Sequence, residues 1–376
     1  MMEALKRVRV SRAALAHNFE LCRRQAGTAG IIALVKADAY GHGMLECAQC
    51  FARLGASGLA VAEAIEGVEL RKAGLALPIY VLAGLAPQSI EAIVTHRLTP
   101  VVSDTQMLLL LAREAERSGR PLAVHLKVDV GMGRQGALPG EFPALVQQAL
   151  GTAWIKVDGL MAHLPKGDER SAIHSNQVLA DFTRVSKEAL QLIPQPCSLH
   201  LANSGGLFYV TGAGFDLVRP GIALYGYYPD GRSGREAATE PRLRPAMQFS
   251  AIVLQVRQLP AGQTVGYDCT FTTTRPTTLA VLPVGYADGY LRKLSGRAQV
   301  LIGGQRAQVL GRISMNLTAV DISHIHGVQA GDEAVLLGRQ GGDVIDADEL
   351  ASWMETINYE VLCLIGRLNS REYIDE

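Results

Sequence analysis

From residue 30 to about residue 225 the chain alternates short apolar or β-branched runs with longer stretches whose apolar positions recur at helical spacing. The runs are GIIALV at 30–35, GLAVA at 58–62, IYVLA at 79–83, PVVS at 100–103, LAVHLKV at 122–128, IKVDGLMAH at 155–163, SLHLA at 198–202 and FDLVR at 215–219. A run that stays apolar instead of alternating suits a strand buried on both faces, as in parallel sheets. The intervening segments, such as EAIEGVELRKAG and SAIHSNQVLADFTRVSKEAL, carry the helical period. Eight strands separated by helices predict an α/β fold built on a (β/α)8 TIM-type barrel. Before them, LKRVRV alternates and leads to Ser11, a side chain suited to cap a helix. That first strand is expected to pair with a distant β-rich domain and not with the barrel.

The pattern changes after Tyr227. YYPDGRSGREAATEPRLRPA, residues 227–246, is rich in Gly, Pro and charge and reads as a boundary. Beyond it MQFSAIVLQVRQL, TTLAVLPV, AQVLIGGQRAQVLG and LTAVDIS alternate or are β-branched, with glycine turns between them. The expected organisation is a barrel over residues 10–235 and a smaller, mostly β domain made of residues 1–9 and 236–376. A chain of 376 residues with 48% hydrophobic positions can build both cores.

Charge narrows the partners. Lys+Arg and Asp+Glu are equal at 36 each, so no net field draws the chain to nucleic acid or to an anionic membrane, and a small-molecule partner is expected. The first thirty residues are charged and lack a signal-like apolar stretch, and no run approaches a membrane span, so a cytoplasmic location is expected. The six cysteines, at 22, 47, 50, 197, 269 and 363, are too sparse for a disulfide framework. Cys47 and Cys50 form a lone CxxC inside the helical pattern MLECAQCFARLG, which predicts helix packing and no metal site.

Candidate chemistry gathers where a barrel should hold it, at the carboxyl ends of the strands. In chain order these ends supply Lys36, Glu63, Ser103, Asp129 with Arg134, His163, Asn203 with Ser204, and Arg219. Most lysines at strand ends reach for solvent. Lys36 in IIALVKADAYGHG is different in its company, with Tyr40 and His42 close by and an apolar strand that can lower an amine pKa for Schiff-base chemistry. HLANSGG at 200–206 and VRPGIALYG at 218–226 offer Ser204 and the amides of Gly221 and Ile222 after the seventh and eighth runs, the usual phosphate position in barrels. A reactive lysine opposite a phosphate cradle points to pyridoxal 5'-phosphate.

Eight motifs, VKADAYGHG, HLKVDVGMGR, HLANS, VRPGIALYG, VGYD, PVGYADGY, GRISMN and TINYEV, run in order through nearly the whole chain. In them the chain resembles the alanine racemase family, pyridoxal-phosphate enzymes of the barrel class. The resemblance implies interconversion of L- and D-alanine through an external aldimine, with Lys36 as the aldehyde-holding lysine and one base and Tyr267 as the opposite base. Two bases are needed because one would return the proton to the face it came from. The resemblance further implies that Tyr267 comes from a neighbouring subunit in a head-to-tail homodimer.

Arg219 would face the pyridine nitrogen, His163 would pack on the ring and His200 would orient Arg219. Tyr40, Asn203, Ser204, Gly221, Ile222 and Tyr359 would complete the cofactor site. Arg134 and the Met315 amide would take the substrate carboxylate, with Tyr286 at the entrance. Lys127 matches a lysine that many members carry as a carbamate. An arginine at the ring nitrogen weakens the electron sink and disfavours transamination and decarboxylation. A basic amino-acid decarboxylase would carry a carboxylate in place of Arg219, and a non-catalytic cofactor carrier would have no use for Tyr267.

Two departures from the family pattern stand out: Asn316 where aspartate is usual, and MAHLPKGDE, residues 161–169, in place of the commoner small-residue run after His163. An amide can donate where a carboxylate only accepts, so serine enters as a second substrate. D-Alanine made this way would supply peptidoglycan precursors.

Overall fold

The computed structural model describes residues 4–83, 85–231 and 242–376. Strand β1 (Lys6–Ser11) precedes eight parallel strands, β2 (Gly30–Leu34), β3 (Gly58–Val61), β4 (Ile79–Val81), β5 (Thr99–Val102), β6 (Leu122–Lys127), β7 (Ile155–Met161), β8 (Ser198–His200) and β9 (Leu217–Val218). These eight close into a barrel, with β9 pairing back on β2 through Gly30↔Leu217 and Ile31↔Val218. Each apolar run of the sequence supplies one of these strands, and β3 and β4 are buried at every residue, as their unbroken hydrophobicity requires. Ser11 caps the helix Arg12–Ala26, its hydroxyl accepting from the Ala14 amide at 3.0 Å. The CxxC lies on the helix Met44–Arg53 with both thiols buried, and burial pushes both thiol pKa values up.

The second sheet is built from β10 (Met247–Ile252), β11 (Gln255–Leu259), β14 (Thr277–Leu282), β15 (Gln299–Ile302), β16 (Gln305–Leu310), β17 (Thr318–Asp321), β18 (Glu333–Gln340), β19 (Asp343–Ile345) and β20 (Arg371–Ile374), while β12 (Thr264–Val265) and β13 (Phe271–Thr272) form a separate hairpin. β1 enters this sheet, antiparallel to β10 and parallel to β20. The IGGQ turn joins β15 to β16 with Gly303 at φ 58° and Gly304 at φ 76°, both left-handed, the requirement of a two-residue hairpin turn that matches strand twist. Of the boundary segment, residues 232–241 lie outside the described residues. Both of its flanks are tied to the barrel by Asn18, whose amide donates to Leu224 O and Arg244 O and accepts from the Arg244 amide.

The β domain returns to the barrel mouth through the helix Asn358–Leu368. A Cβ on Gly366 would lie 1.9 Å from Gly41 O, and one on Gly41 would lie 2.3 Å from Leu362 O. Only two bare backbones allow this approach. Among the described residues, no helix is long and apolar enough to cross a membrane.

Candidate active site

A cavity of about 370 Å³ opens at the carboxyl end of the barrel, lined by Lys36, Lys127, Arg134, Gln135, His163, Arg219 and the apolar Leu34, Ala62, Leu82, Ala83 and Met161. Four of these side chains are cationic and none is a carboxylate. Each comes from a strand end: Lys36 follows β2, Lys127 closes β6, Arg134 sits in the loop beyond it, His163 follows β7 and Arg219 follows β9.

Lys36 is held by an unusual piece of backbone. Ala37, Asp38, Ala39 and Tyr40 take φ values of 53°, 55°, 54° and 55°, a left-handed turn made without glycine. Such a turn costs roughly 1–2 kcal/mol per residue for L-amino acids. It is braced from three sides. Glu66 accepts from the Ala37 amide at 2.8 Å, and also from Ala62 and Glu63 at 2.7 and 3.1 Å, so one carboxylate ties the ends of β2 and β3 together. Asp38 accepts from the Met44 amide and is paired with Arg371, which donates in addition to Gly41 O and Gly366 O. Burial and the nearby Arg134 lower the Lys36 amine pKa, against a smaller opposing effect of Glu66.

Arg219 is 1% exposed. Its Nη1 donates to His200 Nδ1 at 2.7 Å, and its Nη2 reaches Ala162 O at 2.8 Å, Leu201 O at 3.0 Å and His163 Nδ1 at 3.3 Å. Among the described residues no carboxylate pairs with it and no acceptor takes its Nε–H. Burial pulls its pKa down to about 9, which still leaves it protonated at neutral pH. A buried cation with an unused donor facing a cavity calls for an acceptor from a bound molecule. His163 is held neutral, its pKa lowered to about 3 by burial and by Arg219 and the neighbouring lysines.

Arg134 stands on a stapled loop. Asp129 accepts from the amides of Gly131, Met132 and Arg134 at 2.9, 2.7 and 3.1 Å, and although burial opposes its ionisation these amides hold its carboxyl below the ordinary value. Lys127 is 3% exposed, and burial followed by Arg134 pulls its amine down to about 8.

Beyond the carboxyl ends of β8 and β9 the Ser204 hydroxyl accepts from the Gly221 and Ala223 amides at 2.9 and 3.3 Å. A Cβ on Gly221 would lie 2.2 Å from Tyr40 Oη, so this glycine leaves the space the tyrosine hydroxyl fills. Tyr40 packs between Tyr225 and Tyr359, at centroid distances of 5.0 and 5.9 Å. Asn203 caps the short helix Ser204–Tyr209 by accepting from the Gly206 amide at 2.9 Å.

The family models of the alanine racemase N-terminal and C-terminal domains match residues 10–229 and 246–373. The chain belongs to the alanine racemase family. It is 38% identical over 362 residues to the alanine racemase of Clostridium novyi, covering 96% of this chain and 93% of that one. Among solved alanine racemases, the structure from D-cycloserine-producing Streptomyces lavendulae superposes with a TM-score of 0.92 at 32% identity, covering 100% of this chain and 98% of that one. The Bartonella henselae alanine racemase, solved with covalently bound pyridoxal phosphate, gives 0.88 at 30% identity over 99% and 100%.

The alanine racemase fold thus brings Lys36, Lys127, Arg134, His163 and Arg219 to one cavity, with His200 directly behind Arg219. It does not bring Tyr267, Tyr286, Met315 or Asn316 there within one chain. These four are exposed, Tyr267 by 66%, and cluster on the β domain around the 311–316 loop. The Tyr286 amide donates to Ser314 O at 3.1 Å, and a Cβ on Gly266 would lie 2.9 Å from the Arg312 amide nitrogen.

Glu63 and Ser103 do not line the cavity either. The sequence reading missed Glu66, Gln135 and His125. Glu66 stands three residues after Glu63 at a helix start, a spacing that signals capping. His125 and Lys127 are two apart on one strand, a polar pair on one face of an apolar run.

Proposed function

We propose that this chain interconverts L- and D-alanine, with pyridoxal 5'-phosphate at the barrel mouth and with Lys36 and Tyr267 of a second copy as its two bases. The observation that carries the reading is a cavity lined by four cations and no carboxylate, one of the four a buried guanidinium with a donor to spare. Such a site is built for anions and for a neutral acceptor at Arg219. The residues fit the cofactor: Ser204, Tyr40 and the Gly221 amide form a compact polar cluster suited to its phosphate, and Arg219 Nε–H is free for its ring nitrogen. When bound, that cofactor supplies an aldehyde for the Lys36 amine and a ring that draws electron density from the substrate α-carbon.

The chain's own residues do the rest. Lys36, its pKa lowered by burial and by Arg134, has a neutral amine more often than a free lysine and moves the α-proton on the D-face. The Tyr267 hydroxyl serves the L-face. Arg219, protonated at neutral pH, would hold the ring nitrogen with its spare donor, and a fixed cation there would limit the charge the ring can take up and so disfavour side reactions. Arg134 and the Met315 amide hold the substrate carboxylate. Lys127, pulled down to about 8 beside Arg134, is reactive toward carbon dioxide, and a carbamate there replaces a like-charge neighbour of Arg134 with an anion.

Exposure of Tyr267, Tyr286 and Met315 on one face of the β domain supports a head-to-tail homodimer in which each copy completes the other's site. A cytoplasmic location, with D-alanine delivered to peptidoglycan precursors, accords with this reading. Asn316, beside Met315, favours serine as a second substrate through an amide donor, and Asn316→Asp should lower the efficiency on L-serine relative to L-alanine.

The test follows solvent deuterium into the α-position of each alanine enantiomer. Exchange of neither would sink the racemase reading. Tyr267→Phe should slow exchange from L-alanine more than from D-alanine, and equal loss would overturn the two-face assignment.

A further inference from the structure

Behind Arg219 lies a second histidine that the proposed reaction does not use. His125, on β6, is 3% exposed, and its Nδ1 lies 2.7 Å from His200 Nε2. His200 is fully buried and its other nitrogen, Nδ1, lies 2.7 Å from Arg219 Nη1. The three side chains form a line from the cavity wall into the barrel interior.

The direction of every proton along this line follows from the donor inventory. A guanidinium has donors only, so His200 Nδ1 must accept. A neutral His200 then carries its proton on Nε2 and must donate to His125 Nδ1. The reverse polarity, with His125 donating, would leave His200 without a proton on either nitrogen, an imidazolate. A doubly protonated His200 would aim an N–H at the Arg219 N–H. Burial, with Arg219 as the neighbouring cation, lowers the pKa of both imidazoles, His125 to about 3, which keeps both rings neutral.

The barrel makes room for this arrangement on purpose. The β6–β7 register shifts between Val124 and His125, so that Val124 faces Val157 while His125 faces Gly159, with Asp158 bulged out of the ladder. A Cβ on Gly159 would lie 2.3 Å from His125 Cε1 and 2.4 Å from Nδ1. Only glycine at that position lets the imidazole lie where it reaches His200. Tyr80 closes the other side, its ring edge-on to His125 at 4.9 Å.

We propose that His125 is a positioning residue for Arg219: by accepting the His200 Nε2–H it locks His200 in the tautomer whose Nδ1 receives the guanidinium, and so fixes where Arg219 points its remaining donor. The part of this that concerns the cofactor rests on the reading of Arg219 as the partner of the ring nitrogen. The part that concerns the tautomer does not.

The experiment is nitrogen NMR of histidine-labelled protein, without and with pyridoxal phosphate, with His200→Gln used to assign the His200 signals. Wild type should show His200 protonated at Nε2 and bare at Nδ1. His125→Leu removes the acceptor, and Gly159→Ala displaces the imidazole without touching any histidine. Both should lose the single tautomer, and His125→Gln, whose side-chain oxygen still accepts, should recover it. In the loaded protein the first two variants should shift the cofactor absorption band and lower kcat by roughly tenfold with a smaller change in KM, and His125→Gln should restore both. A merely structural role would lower the melting temperature in all three variants and leave the single His200 tautomer intact.

A His200 signal protonated at Nδ1 in wild type, or wild-type His200 signals in both His125→Leu and Gly159→Ala, overturns the proposal. Loss of the tautomer with an unchanged absorption band supports His125 as the lock on His200 and refutes Arg219 as the ring partner.

Discussion

Glu66→Gln tests whether the left-handed turn is what presents Lys36. Four residues in that conformation carry an intrinsic cost of roughly 4–8 kcal/mol. Glu66 offsets part of it through three backbone amides at 2.8, 2.7 and 3.1 Å, one of them the first amide of the turn. Glutamine keeps the shape, but if its oxygen stays on Ala62 and Glu63 its NH2 meets the Ala37 N–H, donor against donor. A hydrogen bond to a charged group contributes about 1.5–3 kcal/mol, so the turn should lose roughly 2–3 kcal/mol of support. Asp38, Arg371 and the Gly41–Gly366 contact remain, so the barrel should stay folded while Lys36 becomes loosely presented.

The assay is titration of the apoprotein with pyridoxal phosphate, read by absorbance, together with a thermal melt. Affinity should fall by roughly tenfold to a hundredfold and the melting midpoint by a few degrees. Glu69→Gln, an exposed change on the same helix, should do neither. Cofactor affinity within about twofold of wild type and an unchanged midpoint would refute the bracing role of Glu66.

Gly221→Ala should weaken cofactor binding through the phosphate end, because its Cβ would lie 2.2 Å from Tyr40 Oη, and inorganic phosphate should protect the variant less than wild type in a thermal melt. Intact mass spectrometry without acid should show Lys127 heavier by one carbon dioxide, and Lys127→Ala should lose activity that added chloride or acetate partly restores; a free amine with bicarbonate-indifferent activity would count against the carbamate. Stability should fall with acidification. His42 is fully buried, stacked on Tyr225 at 4.5 Å, and burial lowers its pKa from 6.5 to about 4. The folded state therefore binds fewer protons than the unfolded chain, so this stability is present above pH 6.5 and is lost as pH falls toward 4, amounting to about 2 kcal/mol by pH 5. His42→Gln should flatten the dependence of the melting midpoint on pH over that window, and an unchanged slope would refute the assignment.

The barrel was legible in the sequence because each strand is a continuous apolar run and each helix keeps a helical period, patterns set by burial on two faces or on one. Lys36, Arg134, His163 and Arg219 were legible for the same reason, since a barrel places the ends of its strands at one mouth. The β1 alternation announced a strand with one wet face, and β1 does join the second sheet. What no local pattern could convey was contact between residues distant in the chain.

The left-handed turn after Lys36 contains no glycine in its four residues, so nothing in ADAY marks it; Glu66, Arg371 and Gly366 impose it from elsewhere. The bulge at Asp158 is likewise invisible in IKVDGLMAH, because a register shift is decided by what β7 meets on β6. Sequence alone determined which elements form and which reactive groups stand at their ends. Tertiary structure alone decided the conformations that cost energy locally and the protons that long-range partners hold in place, because both depend on the sum of contacts made after the elements have packed.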